Sequence, residues 1–141
     1  MPAPHPTQGI LLFAHGARDP SWSRPFEQAR SRLQALMAGR IEPEHISLAF
    51  LEFMHPSLVD AGQQLAQAGC QRVHVVPLFL GTGGHVRKDL PALMAQLQAL
   101  APQVDWQLTP SVGDTEVLVN ALVDAAAQLA GLSSAAPGAL A

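Results

Sequence analysis

Four short apolar runs alternate with four stretches of helical periodicity, and this alternation constrains the fold more than any other feature. The runs lie at 9–14, 46–53, 72–80 and 104–108. They are apolar with little alternation, which is typical of strands buried on both faces. Strands joined by helical crossovers form parallel sheets covered on both sides. The sequence therefore predicts an α/β fold, a flavodoxin-like three-layer sandwich with a four-stranded parallel sheet in the order 2-1-3-4.

The segments between the runs carry the start and stop signals of helices. Ser57, with Asp60 three residues later, predicts the N-terminus of the second helix, and Gly69 predicts its end. The fourth helix is expected over about 115–129 with Asp114 as its cap. The first and third helices are predicted from apolar stripes at helical spacing: Trp22, Phe26, Ala29, Leu33 and Leu36 in the first, and Leu90, Leu93, Met94, Leu97 and Leu100 in the third.

Composition narrows the class of protein further. The 141 residues suffice for one domain, expected over 9–130, with loose termini at 1–8 and 131–141. A net charge of −3 argues against a nucleic-acid partner. Cys70 is the single cysteine, which excludes an intramolecular disulfide and a cysteine-rich zinc site. The sequence has no signal-peptide pattern and no apolar run of membrane-spanning length, so we expect a cytoplasmic protein with no membrane contact.

The loops after the strands carry the candidate functional residues. Ligands of open parallel sheets bind beyond the carboxyl ends of the strands. His15 follows the first strand, Glu52 the second, and His85 the third, after a glycine-rich stretch at 81–84. Two neutral imidazoles and a carboxylate suit a divalent metal of the iron-to-zinc series. Placement of these residues on neighbouring strands therefore predicts one metal site.

Basic and glycine residues in the same loops predict recognition of an anionic ligand. The expected substrate-binding residues are Arg18, Gly83, Gly84, Arg87 and Lys88. Glycines let a ligand approach backbone amides, and the cations suit carboxylates. Sequence patterns of P-loop, dinucleotide-binding, serine-hydrolase and zinc-finger proteins are absent.

Three motifs resemble the CbiX-type family of small, single-domain sirohydrochlorin chelatases, the class II chelatases. They are LFAHGARDP at 12–20, LAFLEFM at 48–54 and VVPLFLGTGGHVRKDLP at 75–91, and the likeness spans about residues 9–130. The resemblance implies a lyase that inserts cobalt, ferrous iron or nickel into sirohydrochlorin or a related tetrapyrrole, for cobalamin or sirohaem biosynthesis. It further implies a homodimer that needs no organic cofactor.

By the same resemblance, His15 and His85 match the two catalytic, metal-binding histidines of the family, and Glu52 falls near an acidic third ligand found in some relatives. Our hypothesis is that the histidines present the metal to the macrocycle and accept the pyrrole protons. Imidazole, with a pKa near 6.5, suits both tasks. Arg18, Arg87 and Lys88 would then bind substrate carboxylates.

Two other functions compete with this one. A non-catalytic metal or tetrapyrrole carrier would use the same ligands. A histidine-phosphatase-like enzyme is suggested by His15-Gly-Ala-Arg18, but Ala14 occupies the position of that motif's first arginine. The metal used, the exact tetrapyrrole, and the contribution of Glu52 or His55 to the metal site stay open at this point.

Overall fold

The computed structural model describes residues 5–81 and 83–132, and for Gly84, His85 and Arg87 it describes the backbone. The described strands are all parallel and lie in the order β2-β1-β3-β4, which confirms the predicted topology. The strands are β1 Gln8–Ala14, β2 Ile46–Phe50, β3 Arg72–Pro77 and β4 Asp105–Leu108, and the helices are α1 Arg24–Leu36, α2 Leu58–Gln67, α3 Gly84–Leu100 and α4 Glu116–Leu129.

The core lies mainly between the sheet and the pair α2 and α3. Leu11 and Phe13 of β1 are completely buried there, together with Val75 of β3, Leu65 of α2 and Leu97 of α3. The opposite face carries α1, which packs through Phe26 and Leu33 on a smaller cluster. That cluster's buried members are Leu12, Ala14, Leu48 and Phe50. Burial of β1 on both faces explains why its sequence is apolar without alternation.

Most predicted helix boundaries are confirmed, and one cap is wrong. The Ser57 hydroxyl accepts a hydrogen bond from the Asp60 amide at 3.2 Å, and Gly69 adopts a φ of +96° just after α2. Thr115, rather than Asp114, caps α4, because its hydroxyl accepts from the Leu118 amide at 3.3 Å. Asp114 instead closes the 3-10 turn Val112–Asp114.

The stripe predicted for α1 is right only in its middle. Phe26 and Leu33 contact the sheet, whereas Leu36 is 72% exposed and Trp22 is 43% exposed. Trp22 belongs to a separate 3-10 turn, Pro20–Ser23, which Asp19 caps. The turn exists because proline at its first position suits the start of a helical segment, and α1 begins only after it.

The second and third strands end earlier than predicted. β2 stops at Phe50, and Phe53 has a φ of +65°, a left-handed conformation that no strand residue adopts. β3 stops at Pro77. Residues 51–53 and 78–80 therefore belong to the loops that follow the strands, where functional side chains of parallel sheets lie.

The remaining expectations on packing concern three side chains. Trp106 is half-buried against the main core and donates its indole N–H to the Ala101 carbonyl at 3.0 Å. Cys70 is buried as predicted, and burial raises the pKa of its thiol. His74 lies within β3, half-buried, with Nε2 2.8 Å from the Gln8 side-chain oxygen. Packing or hydrogen bonding within the fold therefore accounts for the position of each of these three side chains.

The ends of the chain lie partly beyond the described residues. The predicted loose segments at 1–8 and 131–141 include residues 1–4 and 133–141, which are outside this range. At the start of the described part, the Thr7 carbonyl accepts from the Gln71 amide at 2.8 Å, directly before β1. Across the described helices, none combines the length and apolarity needed to cross a bilayer.

The Ser57 cap provides a test of the α2 boundary. We expect Ser57→Ala to lower the free energy of unfolding by about 1 kcal/mol, because the Asp60 amide loses its acceptor. Ser23→Ala is the matched control, since Ser23 precedes α1 but its side chain caps no backbone amide. Urea denaturation of the two variants measures the difference, and an equal effect would contradict the assigned cap.

Candidate functional site

His15 stands directly after β1, at the carboxyl edge of the sheet. Its side chain is 47% exposed, while its ring meets the buried Phe79 edge-on, with 6.1 Å between ring centroids. The Trp22 indole N–H donates to the His15 carbonyl at 2.6 Å. One side of the imidazole is thus supported by the core, and the backbone is held by the Pro20–Ser23 turn.

Glu52 lies in the loop after β2, and its side chain is close to that of His15. His15 Nδ1 lies 3.9 Å from Glu52 Oε1, and the glutamate side chain is 49% exposed. This distance is too long for a direct hydrogen bond but suits a shared water or a shared metal ion. The structure therefore brings together two of the three residues predicted as ligands.

Gly16 makes this proximity possible. A Cβ at Gly16 would lie 1.5 Å from the carbonyl oxygen of Glu52, so only glycine lets the two loops touch. The loops are also tied by main-chain hydrogen bonds beyond the strands. The Leu51 amide donates to the Ala14 carbonyl at 2.9 Å, and the Leu78 amide donates to the Phe13 carbonyl at 2.7 Å.

His85 lies in the first turn of α3, not in a loop as predicted. Gly83 is the N-cap residue, and the helix turn is anchored by Val86 and Leu90, each 6% exposed in the core. These anchors fix the backbone of residue 85 at the amino end of a helix that follows β3. The side chain of His85 is outside the described atoms, so its role stays a prediction.

The predicted anion-binding residues divide between two elements. Gly84, Arg87 and Lys88 fall in the first turns of α3, where backbone amides and the helix dipole favour negative charge. Lys88 is exposed, and Arg18 lies across the site in the loop after β1. Arg18 thus belongs to the loop after β1 and the other two cations to α3, and their binding of an anion stays a prediction.

Phe53, an exposed aromatic residue directly after Glu52, is a further candidate that the sequence motifs did not single out. The Arg18 guanidinium carbon lies 4.7 Å from the centre of the Phe53 ring, in cation–π contact. Phe53 is 54% exposed, although it is large and apolar. Its neighbourhood is an open cavity of about 360 Å³ whose lining includes Arg18, Glu27, Phe53 and His55. The available signal was an aromatic residue directly after Glu52.

Asp19 holds the turn that supports His15. Its carboxylate accepts from the Ser21 amide at 2.9 Å and from the Ser21 hydroxyl at 2.8 Å. Both hydrogen bonds lower the pKa of Asp19 below its ordinary value of 3.8, and the bond from the backbone amide has the larger effect. The ionised carboxylate therefore stabilises the turn above pH 3.8, and this contribution is lost as the pH falls through the lowered pKa.

The described side chains bring two candidate metal ligands together, His15 and Glu52. Among the described side chains, no group of three histidine, cysteine, aspartate or glutamate residues is close enough to hold a metal ion. The third predicted ligand, His85, has its side chain outside the described atoms.

Comparisons with known proteins agree on one family. The CbiX family model matches residues 9–129. A sirohydrochlorin cobaltochelatase of Saccharolobus islandicus is 27% identical over 124 residues, covering 82% of this chain and 90% of the relative. The crystal structure of a putative cobalamin biosynthesis CbiX protein from Marinobacter aquaeolei has a TM-score of 0.73 and 32% identity, covering 89% of this chain and 99% of the other.

SirB from Bacillus subtilis shares the fold at lower sequence identity. Its structures with Fe3+ and with cobalt have TM-scores of 0.73 and 0.74, each at 22% identity. This chain covers 47% and 51% of those two chains, respectively. The chain described here thus spans about half the length of SirB.

The contact at Gly16 yields a test of how the site is assembled. We expect Gly16→Ala to lower the free energy of unfolding by about 1–3 kcal/mol, because the added methyl overlaps the backbone of Glu52. Gly81→Ala is the stability control, since a Cβ there has no neighbour within 4 Å. Chemical denaturation measures both, and equal stability of the two variants would rule out the close approach.

Proposed function

Because the chain belongs to the CbiX family, we propose that it is a chelatase, a lyase that inserts a divalent metal into sirohydrochlorin or a closely related tetrapyrrole. The observation that carries this proposal is the His15–Glu52 pair, 3.9 Å apart and half-exposed at the carboxyl edge of the sheet. The third strand leads into the helix turn that contains His85 at the same edge. An open metal-binding pair suits an enzyme that must both take up and release its metal.

Cobalt is the metal that we propose as substrate, with ferrous iron and nickel as alternatives. The Saccharolobus relative is named a sirohydrochlorin cobaltochelatase, and SirB has been solved with cobalt and with Fe3+. His15, His85 and Glu52 would be the ligands from this chain. Nitrogen and carboxylate ligands bind all three ions, so supply in the cell would select among them. No organic cofactor is needed for this reaction.

The reaction also requires proton acceptors. When a divalent metal enters the macrocycle, two pyrrole N–H bonds break, four nitrogens bind the metal, and two protons leave. Neutral imidazoles at His15 and His85 would accept these protons, directly or through water. Glu52 lies close enough to His15 Nδ1 to pass a proton onward through one bridging water. Its half-exposed carboxylate would then release that proton to solvent.

Substrate binding would use the cations and amides around this pair. Sirohydrochlorin carries eight carboxylates, which Arg18, Arg87 and Lys88 would neutralise. The amides at Gly83 and Gly84 would add uncharged donors. The exposed Phe53 ring, with Arg18 stacked on it at 4.7 Å, would offer a flat apolar surface beside the metal ligands. A planar macrocycle fringed with carboxylates matches both features.

A homodimer in the cytoplasm is part of the same proposal. It is supported by the family and by the length of SirB, of which this chain covers about half. Two copies of this chain would then have about the length of one SirB chain. The rival carrier function uses the same ligands, and nothing in the site favours it. Ala14, buried at the end of β1, leaves the phosphatase-like alternative without its first arginine.

The histidines give the direct test of the proposed activity. We expect His15→Ala and His85→Ala each to slow cobalt insertion by about 100-fold or more, because each removes a ligand and a proton acceptor. His45→Ala is the matched control, since His45 lies at the opposite end of the sheet, directly before β2. The absorbance change of sirohydrochlorin reports the rate, and wild-type rates above the non-enzymatic background in either variant would refute the assigned role.

The same assay separates a chelatase from a carrier. A chelatase should bind Co2+ weakly and turn over many equivalents of sirohydrochlorin. A carrier should retain Co2+ tightly and give at most one equivalent of product. Titration calorimetry with Co2+ alone, set beside the number of turnovers, decides between the two.

Carboxylate recognition has its own kinetic signature. We expect Arg18→Ala to raise KM for sirohydrochlorin by about tenfold with a smaller change in kcat, because Arg18 touches the substrate periphery rather than the metal. Arg40 is an exposed arginine at the far end of the sheet, so Arg40→Ala should leave both constants unchanged. A fall in kcat alone for Arg18→Ala would count against carboxylate binding.

A further inference from the structure

Phe53 has two features that a phenylalanine in a loop does not normally combine. Its side chain is 54% exposed, and its backbone has a φ of +65°. The left-handed conformation is sterically unfavourable for a bulky residue, whereas glycine adopts it at no steric cost. Neither burial nor backbone geometry therefore explains a phenylalanine at this position, and the explanation must lie in what its ring contacts.

The loop that carries Phe53 is fixed by main-chain hydrogen bonds. The Phe50 amide donates to the Pro56 carbonyl at 2.9 Å and closes the base of the loop. The Leu51 amide donates to the Ala14 carbonyl at 2.9 Å and ties the loop to the end of β1. Unfavourable backbone conformations persist where the surrounding structure holds them, and they concentrate at functional sites. These bonds therefore hold the left-handed residue in place at the carboxyl edge of the sheet.

The ring contacts Arg18, whose guanidinium carbon lies 4.7 Å from the ring centre. Two nearby carboxylates are bound elsewhere. Asp19 accepts two hydrogen bonds within its own turn, and Glu27, which lines the same cavity, accepts from the Ser23 hydroxyl at 3.0 Å. Among the described side chains, no carboxylate forms an ion pair with Arg18. Its charge is therefore held by an aromatic ring and left open to an anion from solution.

A guanidinium held against an aromatic face keeps the N–H donors along its edge unused. Arginine presents five donors in a planar fork that matches the two oxygens of a carboxylate. Contact with the ring limits the motion of this fork, and a donor that is already ordered loses less entropy when it binds. The contact therefore makes Arg18 a directed carboxylate binder rather than a mobile surface charge.

The Arg18–Phe53 contact lies beside the proposed metal ligands because both use the same two loops. Arg18 follows His15 by three residues, and Phe53 follows Glu52 by one. The loops after β1 and β2 thus meet at two side-chain contacts, one of 3.9 Å between His15 and Glu52 and one of 4.7 Å between Arg18 and Phe53. A carboxylate bound at the second contact is held at a fixed offset from the first.

We propose that Phe53 is a positioning residue, which orients Arg18 to bind one carboxylate arm of the tetrapyrrole and so sets where the macrocycle lies over the His15–Glu52 pair. This inference rests on the proposed function and deepens it. The ring acts through Arg18, and Arg18 acts as a two-pronged donor rather than as a charge alone. Because each arm lies at a fixed distance from the four central nitrogens, binding one arm limits where these nitrogens lie relative to the metal ligands.

Substitutions at Phe53 separate the ring from its bulk and from its backbone. We expect Phe53→Leu to raise KM for sirohydrochlorin by about three- to fivefold and to change kcat by less than about twofold, because leucine is apolar but makes no cation–π contact. Phe53→Tyr keeps the ring and should stay within about twofold of the wild type. Phe53→Gly should raise KM as leucine does, although glycine suits the backbone. A wild-type KM for the leucine or the glycine variant, or a tyrosine variant as weak as leucine, would overturn the proposal.

The two-pronged donor is tested at Arg18 itself. Arg18→Lys keeps the charge but replaces the planar fork with a single ammonium group. We expect KM to rise by about fivefold or more, close to the effect of Arg18→Ala, because an ammonium group does not bind both carboxylate oxygens in the same directed way. A lysine variant with the wild-type KM would show that charge alone suffices and would overturn this assignment.

The double variant Arg18→Ala/Phe53→Leu shows whether the ring acts through Arg18. We expect its KM to lie within about twofold of the KM of Arg18→Ala alone, because no guanidinium remains for the ring to orient. If the ring instead stacks directly on the macrocycle, the two effects multiply to about 30- to 50-fold. A multiplied effect would therefore refute the positioning role.

Binding measured without metal keeps this inference distinct from the proposed activity. Titration of sirohydrochlorin in the absence of cobalt gives a Kd for each variant, and these values should follow the same order as KM. Leu36→Ala is the matched control, since Leu36 is also large, apolar and exposed but lies at the last position of α1. If the wild type binds sirohydrochlorin and every Phe53 variant binds it equally well, the positioning role is refuted alone, whatever the rate of insertion. A wild type that neither binds nor metallates sirohydrochlorin would refute the proposed function and this inference together.

Discussion

The structure depends on the parallel pairing of β1 with both β2 and β3. β1 is central, buried on both faces, and its hydrogen bonds to its neighbours continue past the last strand residues, from Leu51 to Ala14 and from Leu78 to Phe13. Continued pairing holds the three following loops at one edge. As a result His15 and Glu52 meet there although they are 37 positions apart in the sequence. Without this register, His15 and Glu52 would not lie at the same edge of the sheet.

Two glycines allow the loops at this edge to approach one another closely. Gly16 allows the β1 loop to touch the backbone of Glu52, and Gly113 allows the segment after β4 to touch Leu80. Close backbone packing holds these loops together, while the side chains of His15 and Glu52 stay half-exposed. A site of this kind combines fixed geometry with open coordination, and this combination suits a metal that must leave again.

Side-chain partners outside the predicted set refine the site. Phe53, directly after Glu52 in the chain, adopts the left-handed conformation, and its exposed ring is in cation–π contact with Arg18. Trp22 leaves the predicted helix stripe and instead holds the His15 carbonyl. Trp22 was predicted on the apolar stripe of α1, and no role was predicted for Phe53. Periodicity reports which residues are apolar, but not which of them lie outside the helix or strand.

The sequence by itself determined the sheet order, the main helices, the caps at Ser57 and Gly69, and which loops follow the strands at the carboxyl edge, because periodicity and the rules of parallel sheets are local or topological. Only the tertiary structure decided the distance between His15 and Glu52, the place of His85 in a helix turn rather than a loop, and the shift of the α4 cap from Asp114 to Thr115. It also decided that α4 stands apart from its own sheet. These features depend on how backbones approach in space, and periodicity reports that a helix is apolar but not whether it packs on its own sheet.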